Sequence, residues 1–194
     1  MNLFVGTTPG LERALGEELA ALGYSGDLVS GGVETEGDYR LINLWSRIAS
    51  RVLIRVREVG SIGELQKLDL SMYGDAFEID AFGEDAAKWG GALASKIGAP
   101  KLILRGLKRG GCQVSIDTTG ELLHFRGYRQ EVGRAPMRET LAAGVLQLSK
   151  WKPGEPLWDV MCGSGTILDR SGGARGGPRS GSQSQLRVRA VPLA

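Results

Sequence analysis

The stretch PLWDVMCGSGTIL, residues 156–168, holds the residues whose types and spacing point most directly to chemistry. An apolar strand over 156–161 carries Asp159 and runs into Cys162-Gly163-Ser164-Gly165-Thr166. Glycines at 163 and 165 let the main chain approach a ligand where side chains would obstruct it. A helix after the turn would offer its free N–H groups to anionic or polar ligand atoms. Such a turn is the usual start of a nucleotide-type cofactor pocket, although a lone G-x-G is equally compatible with a plain loop. Cys162, beside the turn, reads as packing.

Basic residues form the second pattern. Arg51, Arg55 and Arg57 alternate on one face of a strand, RVLIRVREV; Lys101, Arg105, Lys108 and Arg109 gather on a hairpin; Arg126, Arg129, Arg134 and Arg138 follow. Contact with nucleic-acid phosphates is one reading, and a solvated sheet face is the other. Trp89 and Tyr128 are candidates for stacking on unpaired bases, whereas Trp45, Trp151 and Trp158 sit at positions that suit a core. His124, the only histidine, has no acid or serine constellation near it and reads as structural. Cys112 and Cys162 have no partner spacing, which favours reduced thiols in a cytoplasm over a disulfide or a metal site. The helix face with Glu12, Glu17 and Glu18 reads as solvated surface.

The elements that must position these residues follow from periodicity. A strand at 3–7 leads to a helix capped by Thr8 with Pro9 in its first turn, with Leu11, Leu15, Leu19 and Leu22 at helical spacing and Gly23 as its stop. Two short strands over 27–36 break at Gly31-Gly32. Asp38 caps a second helix with the stripe Leu41, Leu44, Trp45 and Ile48, and the strand 51–59 closes a β-α-β-β-α-β pattern of the ferredoxin-like kind. A strand at 77–82, a helix at 85–97 weakened by Gly90-Gly91, a hairpin of 101–107 with 112–120, a strand at 122–129 and a helix at 137–151 make up the next part. From Arg170 onward Gly, Ser, Arg, Pro and Gln dominate without periodicity, which predicts disorder.

The blocks RGYR (126–129), APMRETLAA (135–143) and DVMCGSGT (159–166), in this order and spacing, resemble the THUMP-domain RNA methyltransferases. The likeness is greatest to the branch that modifies the exocyclic amino group of guanosine in large-subunit ribosomal RNA or tRNA. It extends more loosely back to residue 1. It implies an α+β chain of four parts: a ferredoxin-like N-terminal domain (1–60), a THUMP-like α/β RNA-binding domain (61–130), a linker helix with the start of a Rossmann-like methyltransferase domain (131–169), and a disordered Arg/Gly/Ser-rich tail (170–194). It implies S-adenosylmethionine as the family's cofactor, with Asp159, Gly163, Gly165 and Thr140 as its contacts. It implies RNA as partner, with Arg55, Arg57, Lys101, Arg105, Lys108, Arg126 and Arg129 as candidate contacts, and no catalytic residue in this chain.

Two departures matter. Val160 stands where the family usually has proline. No Asp or Glu follows Asp169, and the Asn/Asp-Pro-Pro-aromatic loop of the family is missing, since Pro178 and Pro192 fit no such motif. A doubly wound cofactor domain needs several β-α units after its glycine turn and an acid about 20 positions on. The expectation is a truncated stub, through a frameshift or completed by a partner chain, that neither holds the cofactor stably nor transfers methyl groups. A stand-alone RNA-binding module is the alternative.

The formal charge of +2 over 194 residues misleads. Residues 170–194 hold five arginines and no acid, so the rest carries 19 basic against 22 acidic residues. Any phosphate grip must therefore be a local patch. No apolar run approaches a membrane span, and the N-terminus lacks the basic and apolar regions of a signal peptide. No membrane and no metal are expected.

Overall fold

The computed structural model describes residues 1–124, 137–163 and 165–173. The first six elements are β1 (Asn2–Gly6), α1 (Glu12–Ala21), β2 (Gly26–Val29), β3 (Gly32–Glu36), α2 (Tyr39–Trp45) and β4 (Arg51–Val59). They form the predicted ferredoxin-like unit. Next come α3 (Ile62–Gln66), β5 (Glu78–Gly83), α4 (Ala86–Gly90), β6 (Lys101–Gly106), β7 (Cys112–Asp117), α5 (Glu139–Leu148) and α6 (Thr166–Gly173). All seven strands join one sheet in the order β2-β3-β1-β4-β7-β6-β5. β4 is its seam, antiparallel to β1 on one side (Leu3 opposite Ile54) and to β7 on the other (Ile54 opposite Ile116). Among the described strands β5 and β6 pair in parallel, and the other pairs are antiparallel.

Period-two alternation places Leu3 and Val5, Val52 and Ile54, Leu102 and Leu104, and Val114 and Ile116 on one face. These join Leu15, Leu19 and Ile42 from the helices in a single core that runs under both halves of the sheet. Burying a residue of this size contributes about 1.5–3 kcal/mol.

Several local expectations give way to tertiary context. Thr8 does not cap α1; Leu11 holds the N-cap position without a side-chain bond, and the Thr8 carbonyl accepts its N–H at 3.0 Å. Asp38 does cap α2, accepting from the Arg40 N–H. The phase of α2 is the reverse of the predicted stripe, for Tyr39, Ile42 and Asn43 are buried while Leu41, Leu44 and Trp45 are exposed. Asn43 fixes that phase by donating to the Thr118 carbonyl and hydroxyl at 3.3 and 3.0 Å. The acidic face of α1 is more than solvated surface. Glu18 accepts from Ser46 Oγ and from the N–H groups of Arg47 and Ile48. Glu12 accepts from the N–H groups of Gly10 and Gly31, and amide donors, its own first, hold its carboxyl below the usual range.

The 85–97 helix stops at Gly90, where a Gly-Gly pair costs more than a short exposed helix recovers. Trp89 is buried and unavailable for stacking. Residues 121–124 form a bend and turn rather than a strand; Phe125 to Tyr128 and Arg129 lie outside the described residues.

The strand expected at 156–161 is absent. Trp158, Val160 and Met161 are 87%, 92% and 89% exposed in a loop, so Trp158 is no core residue. Nothing among the described residues lies beside this apolar run to pair with it, and an unpaired strand has no ladder to hold it. Arg170 is also not the start of disorder, since α6 continues to Gly173 and buries it. The remaining tail, 174–194, lies outside the described residues.

Candidate functional site

α5 is seated on the ferredoxin-like unit through Gly144. A Cβ there would come within 2.5 Å of Leu11 Cδ1, so the helix axes approach as only glycine allows. Its first turn buries Glu139 and Thr140. Thr140 Oγ1 has no hydrogen-bond partner among the described residues.

α6 lies against α5 and is held by Arg170. The guanidinium of Arg170 donates to the Glu139 carbonyl at 3.1 Å and lies 3.8 Å from the Glu139 carboxylate. It also reaches the Arg47 carbonyl at 3.5 Å, while Arg47 donates back to the Arg170 carbonyl. This two-way clasp ties α6 to the loop after α2. His124 stands near Arg138 and Glu139; burial first, then the Arg138 charge, push its imidazole below its ordinary range, towards the neutral form.

The glycine turn leads straight into α6. Gly163 and Gly165 both adopt positive φ, +54° and +78°, and a Cβ at either would meet nothing within 4 Å. Glycine is required here by backbone conformation rather than by a close neighbour. Gly165 N–H closes the turn on the Cys162 carbonyl at 2.7 Å. Asp159 is turned inward on its own loop, where Oδ1 accepts the Met161 N–H at 3.2 Å. Thus Asp159, Gly163 and Gly165 share one loop, and Thr140 is on the neighbouring helix. Two surface clefts, one beside Met1 and Arg40 and one beside Arg51 and Lys101, are lined by none of the four. The open turn and the orphaned Thr140 hydroxyl suit a polar ligand, but the described residues supply no walls for an adenosine.

The candidate phosphate contacts divide by how fully they are engaged. Arg55 is consumed: it grips Glu34 through Nη2 and Nε at 2.7 and 3.1 Å, donates to Ser115 Oγ at 3.2 Å and lies 4.4 Å above the Phe4 ring. A bulge between Arg55 and Arg57 sets Arg57 opposite Val114, so the two do not share a face as alternation predicts. Arg57, Arg105 and Lys108 are exposed, with Arg105 opposite Gln113 and beside Phe82. Arg126 and Arg129 lie outside the described residues.

Lys101 is half-buried, 3.8 Å from Glu78. With Arg51, Gly120, Glu121 and Leu122 it lines a cleft of about 530 Å³ at the end of the sheet. Beside the cleft lies Asp117, buried, with Oδ2 3.1 Å from Arg51 Nη1. Burial raises its carboxyl above the usual range against the opposing pull of Arg51. Glu121 and Asp117 escape attention in the sequence because IDTTGEL reads as a plain polar turn after a strand. Among the described residues no helix is long and apolar enough to cross a membrane, and no three His, Cys, Asp or Glu side chains are placed to hold a metal ion.

Comparison with known proteins agrees with this arrangement. The RlmL ferredoxin-like domain matches residues 2–53, and the RMKL-like methyltransferase domain (UPF0020) matches residues 126–169. Among solved structures, a predicted N6-adenine-specific DNA methylase from Listeria monocytogenes is 30% identical with a TM-score of 0.75, over 89% of this chain and 54% of that one. SMU.472, assigned as a methyltransferase and complexed with SAH, is 30% identical with a TM-score of 0.76, over 89% and 55%. A protein assigned as a methylase from Clostridium difficile 630 is 29% identical with a TM-score of 0.70, over 89% and 55%. The chain therefore spans about half the length of these relatives. A ferredoxin-like unit in front, a glycine turn and helix behind, and this likeness across nearly the whole chain make it similar to methyltransferases, with part of it matching an RlmL ferredoxin-like domain and part an RMKL-like methyltransferase domain.

Proposed function

We propose that these residues form the RNA-gripping part of an S-adenosylmethionine-dependent RNA methyltransferase, with β5–β7 serving as its THUMP-type module and guanine N2 of ribosomal RNA as the position modified. The observation that carries this reading is the order of the two matched domains on one continuous sheet-and-helix body. The complex of SMU.472 with SAH supports the methyl donor. Exposed Arg57, Arg105 and Lys108 supply long-range attraction for phosphate.

The 194 residues alone neither hold the donor stably nor transfer its methyl group. Asp159 is spent on its own loop, and the apolar residues around it are exposed, with no strand beside them among the described residues. Methyl transfer depends on positioning the amine against the donor within a closed site. Titration calorimetry of the purified chain with S-adenosylmethionine gives no heat of binding at micromolar protein on this reading. Saturable binding with micromolar affinity would overturn it. Radiolabelled methyl transfer to ribosomal RNA tests the second half of the statement, and the expected incorporation is zero.

A further inference from the structure

We infer that the cleft at the end of the sheet takes the sugar–phosphate backbone of single-stranded RNA, with phosphates on Arg51 and Lys101 and a ribose 2′-hydroxyl on Glu121. This rests on the reading that the chain grips RNA. The cleft measures about 530 Å³ and is lined by Arg51, Lys101, Gly120, Glu121 and Leu122. That volume lies in the range of ligand sites, roughly 300–1,000 Å³.

Its two cations come from different strands. Asp117 of β7 faces Leu53 of β4, and Ile116 faces Leu102 of β6, so Arg51 and Lys101 stand on either side of Asp117. With neighbouring strands about 4.8 Å apart, their backbones are about 10 Å apart. Neither is saturated. Among the described residues Arg51 has one ion pair, to Asp117 at 3.1 Å, and a guanidinium has five N–H donors. Among the described residues Lys101 pairs with Glu78 at 3.8 Å, with both side chains about one-third exposed, and its charge also acts on Asp117; so exposed a pair is weak enough to open for a phosphate. Arg55, by contrast, commits all three of its guanidinium nitrogens to Glu34 and Ser115.

Buried Asp117 anchors Arg51 so that its free donors face the cleft, as a fixed fork suited to a phosphate. The carboxylate of Glu121 on the lining repels a phosphate and requires a donor. The 2′-hydroxyl supplies one where DNA has none. Glycine at 120 and the half-buried Leu122 leave room for the chain of the ligand.

The test is fluorescence anisotropy of the whole chain with a short 5′-fluorescein-labelled single-stranded oligoribouridylate, and with its deoxy counterpart, across a salt series. Each lost phosphate contact lowers the slope of log affinity against log salt by about 0.7 on a single strand. The Arg51→Gln/Lys101→Gln pair should lower it by about 1.4, and Lys101→Gln alone, whose melting temperature should match the wild type, by about 0.7. Lys67→Gln removes a charge remote from the cleft and should leave the slope unchanged. Glu121→Ala should abolish the preference for the ribose strand.

Binding by the wild type with an unaltered slope in Lys101→Gln would overturn the cleft while leaving RNA binding standing. Equal affinity of the wild type for the deoxy strand would overturn the part given to Glu121. No salt-dependent binding by the wild type would overturn both the cleft and the RNA reading.

Discussion

Gly144→Ala sets two opposite effects against each other. In an exposed helix this change stabilises by about 1 kcal/mol, because alanine loses less backbone entropy. Here the added Cβ would lie 2.5, 2.8 and 3.1 Å from Leu11 Cδ1, Cδ2 and Cγ. Ordinary carbon contacts are about 3.5–4.0 Å, so helix or leucine must move by roughly 1 Å. Leu11 is 4% exposed and belongs to the core, which leaves it little room to yield. Overpacking of this kind costs about 1–3 kcal/mol. The net expectation is a loss of about 1 kcal/mol, and a fall in Tm of about 2–4 °C for a protein of this length.

Urea unfolding followed by far-ultraviolet circular dichroism measures the loss. Leu11→Ala alone creates a cavity costing about 2–5 kcal/mol, and Gly144→Ala added to it should recover part of that cost. A favourable coupling of about 0.5–3 kcal/mol would mark the two residues as neighbours. If Gly144→Ala stabilises the chain by about 1 kcal/mol and shows no coupling with Leu11, then α5 is not seated on α1 and the placement of the glycine turn is wrong.

Arg170→Ala removes the clasp and takes from the buried Glu139 carboxylate the cation that stands 3.8 Å away; hydrogen exchange over 166–173 should accelerate about tenfold or more, equivalent to 1.4 kcal/mol, while β4 and β7 stay protected. Asp117, whose carboxyl is raised in the folded state, contributes stability that is present below the ordinary aspartate range and lost as pH rises through the raised value; relative to Asp117→Asn, the wild type should lose stability in denaturant titrations as pH rises above the ordinary aspartate range. Cys112 is buried, with its thiol pushed up to about 11, and Cys162 is exposed; a thiol reagent at pH 8 should modify Cys162 at once and Cys112 only after unfolding, as mass spectrometry of peptides would show.

The order of the ferredoxin-like strands and helices was legible because each carries its own signal: alternation at Leu3–Val5 and Val52–Ile54, the Asp38 cap, the Gly31-Gly32 break. What was not legible depends on partners. The face of α2 is set by Asn43 reaching Thr118, which lies 75 residues away, and hydrophobic periodicity over seven residues cannot carry that information. A bulge moved Arg57 because one inserted residue reverses every later side chain. The apolar run at 156–161 has the composition of a strand, yet composition does not supply neighbours. At the candidate site, the glycines were found by their spacing. Arg170 was not, because a lone arginine in a Gly/Ser-rich context gives no sign of the main-chain acceptors waiting at Glu139 and Arg47.

The β4–β7 seam has a consequence for anyone dividing this chain. Six residue pairs of β4 are matched with β7, and β4 is nine residues long with Val52, Leu53 and Ile54 buried. Excising residues 1–60 would strip one side of that strand bare and leave a long greasy edge open to any other copy in solution. Such a fragment should precipitate or pair edge to edge, so the two halves must be handled, expressed and evolved as a single body.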